Sequence, residues 1–361
     1  MSEDAAELAA LHDELRSVAR ELLAKAGEES AVDWQLIARS GWLGLEVPAE
    51  FDGAEATFAE TAVILGELGR AAARGPYPSV ALAVHALDMV TPGAYRDELL
   101  HATVAGTTVP AVVIAGEGLE PGMFRVEDTA DGAVLTGHAD FVLDATAADR
   151  LLVPAVQSDG SAVLVAIEPT TPGVAVTPQP VVDETRSLAS VEAAGAVVEP
   201  EALWQFENDA PGAVQRLRHR ASVAVACDSL GIAEAMVDAT VAYAGVREQF
   251  GRKIGSFQAV KHACADMLVR TSVARRLIAG AVRAQVEADP DAALAAHMAK
   301  SYTCAAAVDI AGKAMQLHGG MGYTWESGIH VYLKRATLNR SLYGSPGAHR
   351  RRIAERYSAQ T

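Results

Sequence analysis

The order of patterns along the chain is its tightest constraint: helical periodicity, then closely spaced strands, then helical periodicity again. In "TFAETAVILGELGR", Phe58, Ala62, Leu65 and Leu68 recur at intervals of four and three, which predicts one apolar stripe on a helix. "ELAALHDELRSVARELLAKAG" reads as an earlier helix closed by glycine, and "GWLGLEVPAEFDGAEA" as a connector punctuated by Gly and Pro. From residue 105 to about 200, Val-rich runs such as "VPAVVIAG", "RLLVPAV" and "AVLVAIE" alternate with the turn signals "EDTADG", "QSDGS" and "PTTPG". They predict an antiparallel sandwich or barrel. Long runs follow from Ala210, from Phe257 to about Val286, from Ala292 to about Leu317, and from Trp325 to about Leu342; the first is poor in breakers apart from Gly231, and together they suit an antiparallel bundle. The fold class is therefore α+β, mostly α. Its three parts are an N-terminal helical domain (1–104), a central antiparallel β-domain (105–205) and a C-terminal four-helix bundle (206–361).

Composition narrows the function. Half of the 361 residues are hydrophobic but only 5% are aromatic, so the core must be built from Ala, Val and Leu. A formal charge of −16 opposes general attraction to nucleic acid or an anionic membrane, so any phosphate ligand must be met by a local basic cluster. No apolar run is long enough to span a membrane and the N-terminus lacks a signal-peptide pattern, which predicts a cytoplasmic protein. Cys227, Cys264 and Cys304 lack metal or redox spacing and read as buried thiols, and no metal site is expected.

Two stretches carry chemistry. "REQFGRKIGSFQAVKH" puts Arg247, Gln249, Phe250 and Gln258 around a glycine turn between two helices, and "QLHGGMGYTWESGIHVYLKRA" puts Gln316 beside Gly319 and Gly320. By itself Arg247 with Lys253 also reads as a basic helix C-terminus capped by Gly251.

With the helix–strand–helix order, these stretches resemble the acyl-CoA dehydrogenase family over nearly the whole chain, most strongly over residues 215–340. "GWLGLEVPAEFDG" and "GHADFVLDATAADRLLVPA" resemble its first helical domain and its β-domain. The resemblance implies FAD as cofactor and an acyl-CoA thioester as substrate, dehydrogenated at its α and β carbons. It implies that Arg247 reaches the FAD pyrophosphate, that Phe250 packs on the adenine side, and that Gln249 and Gln258 make polar contacts. Gln316 and the amides around Gly319 and Gly320 would meet the same ADP portion, and glycine lets backbone approach phosphate closely. In the family these motifs serve mainly the FAD of the neighbouring subunit, which implies a dimer of dimers. Ser345 loosely matches a last FAD contact, with Pro346 expected to distort its turn.

The resemblance also marks departures. The family's proton-accepting glutamate stands either just before a glycine after the last bundle helix or on the first bundle helix. Here those positions are Tyr343 and Ala221, so no catalytic residue is assigned. The β-domain loops that hold the flavin ring read "PAVVIAGEGLEPG" and "GHADFVLDATAAD", with Phe141 and Val142 at the second. The pattern resembles the unequal subunits of bacterial heterotetrameric acyl-CoA dehydrogenases, in which a related chain carries the glutamate. The alternatives are a CoA-ester-binding or scaffold protein without redox activity, a flavin monooxygenase on the same fold, and an active homo-oligomer with an atypical base. Glu326 reads as a helix-start acid, Asp183 and Glu184 as a surface ion pair with Arg186, and His318 as a polar supporting group. Arg218, His219 and Arg220 read as a solvated basic helix face.

Overall fold

The computed structural model describes residues 3–25, 32–116, 118, 124–129, 132–207, 210–324 and 327–358. Its helices are α1 (Glu3–Ala24), α2 (Trp34–Arg39), α3 (Phe58–Arg70), α4 (Tyr77–Asp88), α5 (Ala94–Val104), α6 (Ala210–Val246), α7 (Gln258–Val286), α8 (Ala292–His318), α9 (Ile329–Ser341) and α10 (Pro346–Ser358). The strands among the described residues are β1 (Pro110–Val112), β2 (Phe124–Thr129), β3 (Gly132–Leu143), β4 (Arg150–Gln157), β5 (Ala162–Ile167), β6 (Val174–Pro178), β7 (Leu188–Val198), β8 (Leu203–Gln205), β9 (Glu248–Gln249) and β10 (Arg252–Lys253). The helix–strand–helix order thus holds. α9 begins at Ile329, after Gly328 in a left-handed conformation (φ 64°), later than the expected start at Trp325, which lies outside the described residues. Among the described residues no helix is long and apolar enough to cross a membrane.

Spatial proximity groups the chain into two units, each discontinuous in sequence. One contains Val32–Thr61 and Gly75–Ala221. Its sheet runs β6-β7-β3-β2-β4-β5-β8, with β1 added beside β4. Short turns make β2/β3 and β4/β5 antiparallel, as expected from the turn signals. β4 also runs parallel to β1 and β2. Those pairs are not joined by a turn, so no local signal sets their direction. Phe124, Leu135, Leu151, Val163 and Val191 form its apolar core. The β3–β7 register slips between Ala139 and Val142, and Phe141 sits in that slip at φ 55°.

The other unit contains Met1–Ala31, Ala62–Arg74 and Ser222–Thr361. Small residues dominate its packing as composition predicts: Ala233, Ala307, Ala311, Ala314 and Ala336 are buried with Ile232 and Ile310. Leu65 and Leu68 of the expected stripe are buried and Ala62 is half-buried, while the stripe omits Ile64, which is fully buried. Cys227 and Cys304 are buried as expected, but Cys264 is half-buried, because its position on α7 faces outward in part.

Gly231 is not a weak point of α6. A Cβ there would stand 1.9 Å from the carbonyl oxygen of Gly66 and 2.6 Å from the amide nitrogen of Arg70, and one on Gly69 would stand 2.0 Å from the Asp228 carbonyl oxygen. Glycines on both helices let α3 and α6 cross at backbone contact. Gly231→Ala should therefore cost about 3 kcal/mol through overpacking and lower the thermal unfolding midpoint. Gly280→Ala on α7, where an added Cβ meets nothing within 4 Å, should raise it, by about 0.5–1 kcal/mol of helix propensity.

Candidate functional site

The first chemical stretch begins where α6 ends at Val246. The Arg247 amide donates to the Tyr243 carbonyl at 2.9 Å, and its own carbonyl accepts from the Ile254 amide at 2.8 Å, closing a loop. Inside the loop β9 and β10 pair as a two-residue hairpin, Gln249 opposite Arg252 and Glu248 opposite Lys253. Phe250 (φ 54°) and Gly251 (φ 72°) form its turn. Positive φ at both central residues matches the twist of a tight hairpin. Gly251 therefore belongs to a hairpin turn and is not the cap of α6, while Arg247, whose amide closes the last helical bond, stands at the helix C-terminus.

Phe250 is 92% exposed in a backbone conformation that is costly for a bulky residue. Its ring meets Phe257 edge-on at 6.3 Å, and the Arg252 guanidinium lies 4.0 Å above the Phe257 ring. Gln258 opens α7 directly after Phe257 and is exposed, as are Arg247 and Gln249. Phe250 thus combines backbone strain with a ring that is mostly in the open and meets Phe257 only by an edge.

The second stretch is tied to the first through two residues that sequence reasoning placed in supporting roles or passed over. The rings of Tyr243 and His318 stack with centroids 4.3 Å apart, and the Tyr243 hydroxyl points to the His318 carbonyl at 3.4 Å. His318 is buried, and its Nδ1 donates to the Ala314 carbonyl at 2.8 Å. That bond fits a supporting group. Gly319 follows at φ 61°, a Cβ on it or on Gly320 would meet nothing within 4 Å, and both glycines are exposed. Gln316 is exposed on the last turn of α8, its Oε1 accepting from Lys313 Nζ at 2.8 Å. Tyr243 carried a signal in its spacing, four residues before Arg247 on one helix face.

Ser345 stands elsewhere in this unit. Its hydroxyl accepts from the Ala348 amide at 3.3 Å, so it is the N-cap of α10, and Pro346 is the first helical residue. Pro346 starts the helix and does not distort the turn. Among the described contacts none joins Ser345 to the Arg247 group. Tyr343 is buried at φ 54° with Gly344 following at φ 104°. Ala221, buried on α6, belongs to the other unit. Glu326 lies outside the described residues.

Two expectations about polar groups are overturned in the sheet-bearing unit. Arg218 and Arg220 do not form a solvated face; they are 3% and 6% exposed. Arg218 donates to the carbonyls of Ala115 and Gly118 at 3.3 and 2.7 Å. Arg220 pairs with Glu46 and lies 3.5 Å over the Phe58 ring. Burial pushes the Glu46 carboxyl up from its ordinary value, opposed chiefly by Arg220. His219 between them is half-buried. Asp183 is buried too; its Oδ1 accepts from the Thr185 amide and hydroxyl at 2.9 and 2.7 Å, an Asx turn where a surface ion pair was expected.

The fold agrees with comparison to known proteins. The acyl-CoA dehydrogenase C-terminal domain matches residues 213–358 and the N-terminal domain residues 5–107. Acyl-CoA dehydrogenase IpdE2 of Mycolicibacterium smegmatis is 32% identical over 323 residues, 89% of this chain and 86% of that protein. Its namesake in Mycobacterium tuberculosis is 31% identical over 357 residues, 98% and 95% of the two chains. Among solved structures, the Tcur3481-Tcur3483 steroid ACAD G363A variant superposes with a TM-score of 0.87 at 25% identity, covering 98% of this chain and 100% of that one. The ChsE4-ChsE5 complex from Mycobacterium tuberculosis gives 0.83 at 27% identity, covering 100% and 98%. The chain belongs to the acyl-CoA dehydrogenase family, a family of oxidoreductases.

Acyl-CoA dehydrogenases are FAD-binding flavoproteins, and FAD is the cofactor the fold implies. One half of the site fits it. An exposed cation, an exposed ring and two glycines with open space above them suit a pyrophosphate and a flat base arriving from outside. At the second β-domain loop two described positions are closed to a polar contact with a flavin ring. Val142 is fully buried, and the Phe141 amide is taken by Gln179 Oε1 at 2.6 Å. Arg247→Ala should weaken FAD retention about ten- to a hundredfold, the value of a charge-assisted phosphate contact. The thermal midpoint without flavin should hardly move, because an exposed cation contributes little to folding. Flavin absorbance after dialysis, read beside apo-protein unfolding, checks both.

Proposed function

We propose that this chain is the subunit of an acyl-CoA dehydrogenase that completes the FAD site of a related, glutamate-bearing chain and does not itself remove the α-proton. One observation carries the reading. Arg247, Phe250, Gly319 and Gly320 are exposed on two segments linked through the Tyr243–His318 stack, while the two positions of the family's base hold Tyr343 and Ala221.

α,β-Dehydrogenation of a thioester needs a carboxylate to accept the α-proton, which the thioester carbonyl acidifies. When bound, FAD supplies the acceptor for the hydride leaving the β-carbon. Tyrosine is a poor base near neutrality, its ordinary pKa being about 10, and alanine has no acceptor. What this chain contributes is binding. Arg247 would pair with the pyrophosphate and the Gly319–Gly320 amides would donate to it. Phe250 would cover the adenine, with Gln249, Gln258 and Gln316 at the edges and Ser345 at a separate contact. Because these groups face outward, the natural recipient is a cofactor seated in a neighbouring subunit, which makes a dimer of dimers with a second chain the fitting assembly. Two of the matched structures are titled as two-name pairs, Tcur3481-Tcur3483 and ChsE4-ChsE5, which supports a mixed assembly. The linear division at residues 104 and 205 remains a proposal for the family's three domains here.

Tyr343→Phe decides between this reading and an active chain with an unusual base. If the working glutamate is the partner's, the steady-state dehydrogenation rate of the complex should stay within a few-fold of wild type. A fall of a hundredfold or more with flavin still bound, the ordinary size of lost general-base assistance, would make Tyr343 the base and overturn the proposal.

A further inference from the structure

The turn that carries Tyr343 is held on two sides through its backbone carbonyls. Lys300 on α8 is fully buried, and its Nζ donates to the carbonyls of Asn339 at 2.9 Å, Gly344 at 3.1 Å and Arg340 at 3.4 Å. Asn339 and Arg340 lie in the last turn of α9, where carbonyls lack helical partners and the dipole favours a cation. Burial pushes Lys300 below its ordinary value. Cys304 opposes that, and three carbonyl acceptors suit the ammonium form, which alone carries three N–H groups.

His349 on α10, also fully buried, holds the other side. Its Nε2 lies 3.0 Å from the Tyr343 carbonyl, and its Nδ1 lies 2.8 Å from Nδ1 of His297 on α8. A carbonyl only accepts, so His349 Nε2 carries a hydrogen. In the neutral pair His349 Nδ1 is then bare, and His297 Nδ1–H donates to it. A first added proton can rest on His349, which then donates from both nitrogens. A second makes both Nδ1 atoms donors and breaks the bond. Burial, and after it Arg352, hold His297 below the ordinary imidazole value against the opposing pull of Glu355. Both of those charged groups come from α10.

We propose that Lys300, His349 and His297 are positioning residues that set the left-handed backbone of Tyr343, the Gly344 turn and the Ser345 cap. Their hydrogen bonds reach the turn through backbone carbonyls, so they fix where the main chain at 343 and 345 stands. The functional weight of that placement rests on the family reading of this turn, but the placement does not.

Amide hydrogen exchange on the full-length chain, followed over residues 342–349 with α7 as reference, tests it. His349→Ala should speed local exchange about tenfold, the scale of a buried hydrogen bond lost, with α7 unchanged. His349→Gln, whose amide can still donate to the Tyr343 carbonyl, should recover most of the protection. The depressed His297 favours its neutral form in the fold, so protection is full above the ordinary imidazole pKa of about 6.5 and is lost as pH falls below it. After correction for the intrinsic rate, wild type should show that loss. His297→Ala should not, because a lone His349 can protonate and still donate to Tyr343. If His349→Ala fails to fold, the comparison of wild type with His297→Ala still decides. Wild-type exchange in His349→Ala, or an acid response that survives His297→Ala, overturns the assignment. Neither readout needs flavin, so either result leaves the FAD-sharing proposal to its own test.

Discussion

Arg335 and Asp228 form the ion pair on which the helical unit hangs. Both are buried, 0% and 2% exposed. The guanidinium meets both carboxylate oxygens, through Nη2 and, at 3.0 Å, through Nε, and its Nη1 donates to the Ala73 carbonyl at 2.7 Å. Asn339 Nδ2 adds a bond to the same carboxylate at 2.6 Å. One carboxylate on α6 thus gathers α9 and the residues after α3, at the level where Gly69 meets the Asp228 backbone. A buried pair of this kind is not a large net source of stability against an apolar replacement, but losing either partner alone typically costs about 3–5 kcal/mol. Its use is registration. α6 delivers Arg247 at one end, and α9 delivers the Tyr343 turn at its own, so the pair that locks them sets both stretches that bear on function.

The hierarchy from there is short. Glycines permit the close α3–α6 crossing, the ion pair fixes it, and the Tyr243–His318 stack carries the order outward to the hairpin and to Gly319. What reaches the surface is costly by internal standards: an aromatic ring in the open at positive φ, with cations and bare glycines near it. Such features persist when selection acts on a bound state and not on the isolated fold. The Tyr343 position shows the complement: a built turn, with a side chain that is a weak base near neutrality.

The sequence disclosed the parts whose signals are local. Helical runs, strand spacing and the "REQFG" and "QLHGG" stretches each lie within a few residues, and the order of the three regions emerged with them. What stayed hidden depends on partners far along the chain. Arg220 looks solvated until Glu46 and Phe58 come beside it, and Arg218 until the carbonyls of Ala115 and Gly118 do. Gly231 reads as a helix breaker until Gly66 lies against it. Pro346 reads as a distortion until Ser345 caps the helix it begins. The parallel pairing of β4 with β1 and β2 was hidden for the same reason, since no turn joins those strands.

The central claim is that this chain lends half a flavin site to another. Native mass spectrometry of the chain purified alone, and of the complex formed with a glutamate-bearing relative, weighs that directly by counting FAD per chain. The account predicts little or no FAD on the isolated chain and about one FAD for every two chains in the mixed complex. Full occupancy, one FAD per chain, in a homo-oligomer of this chain alone would contradict it.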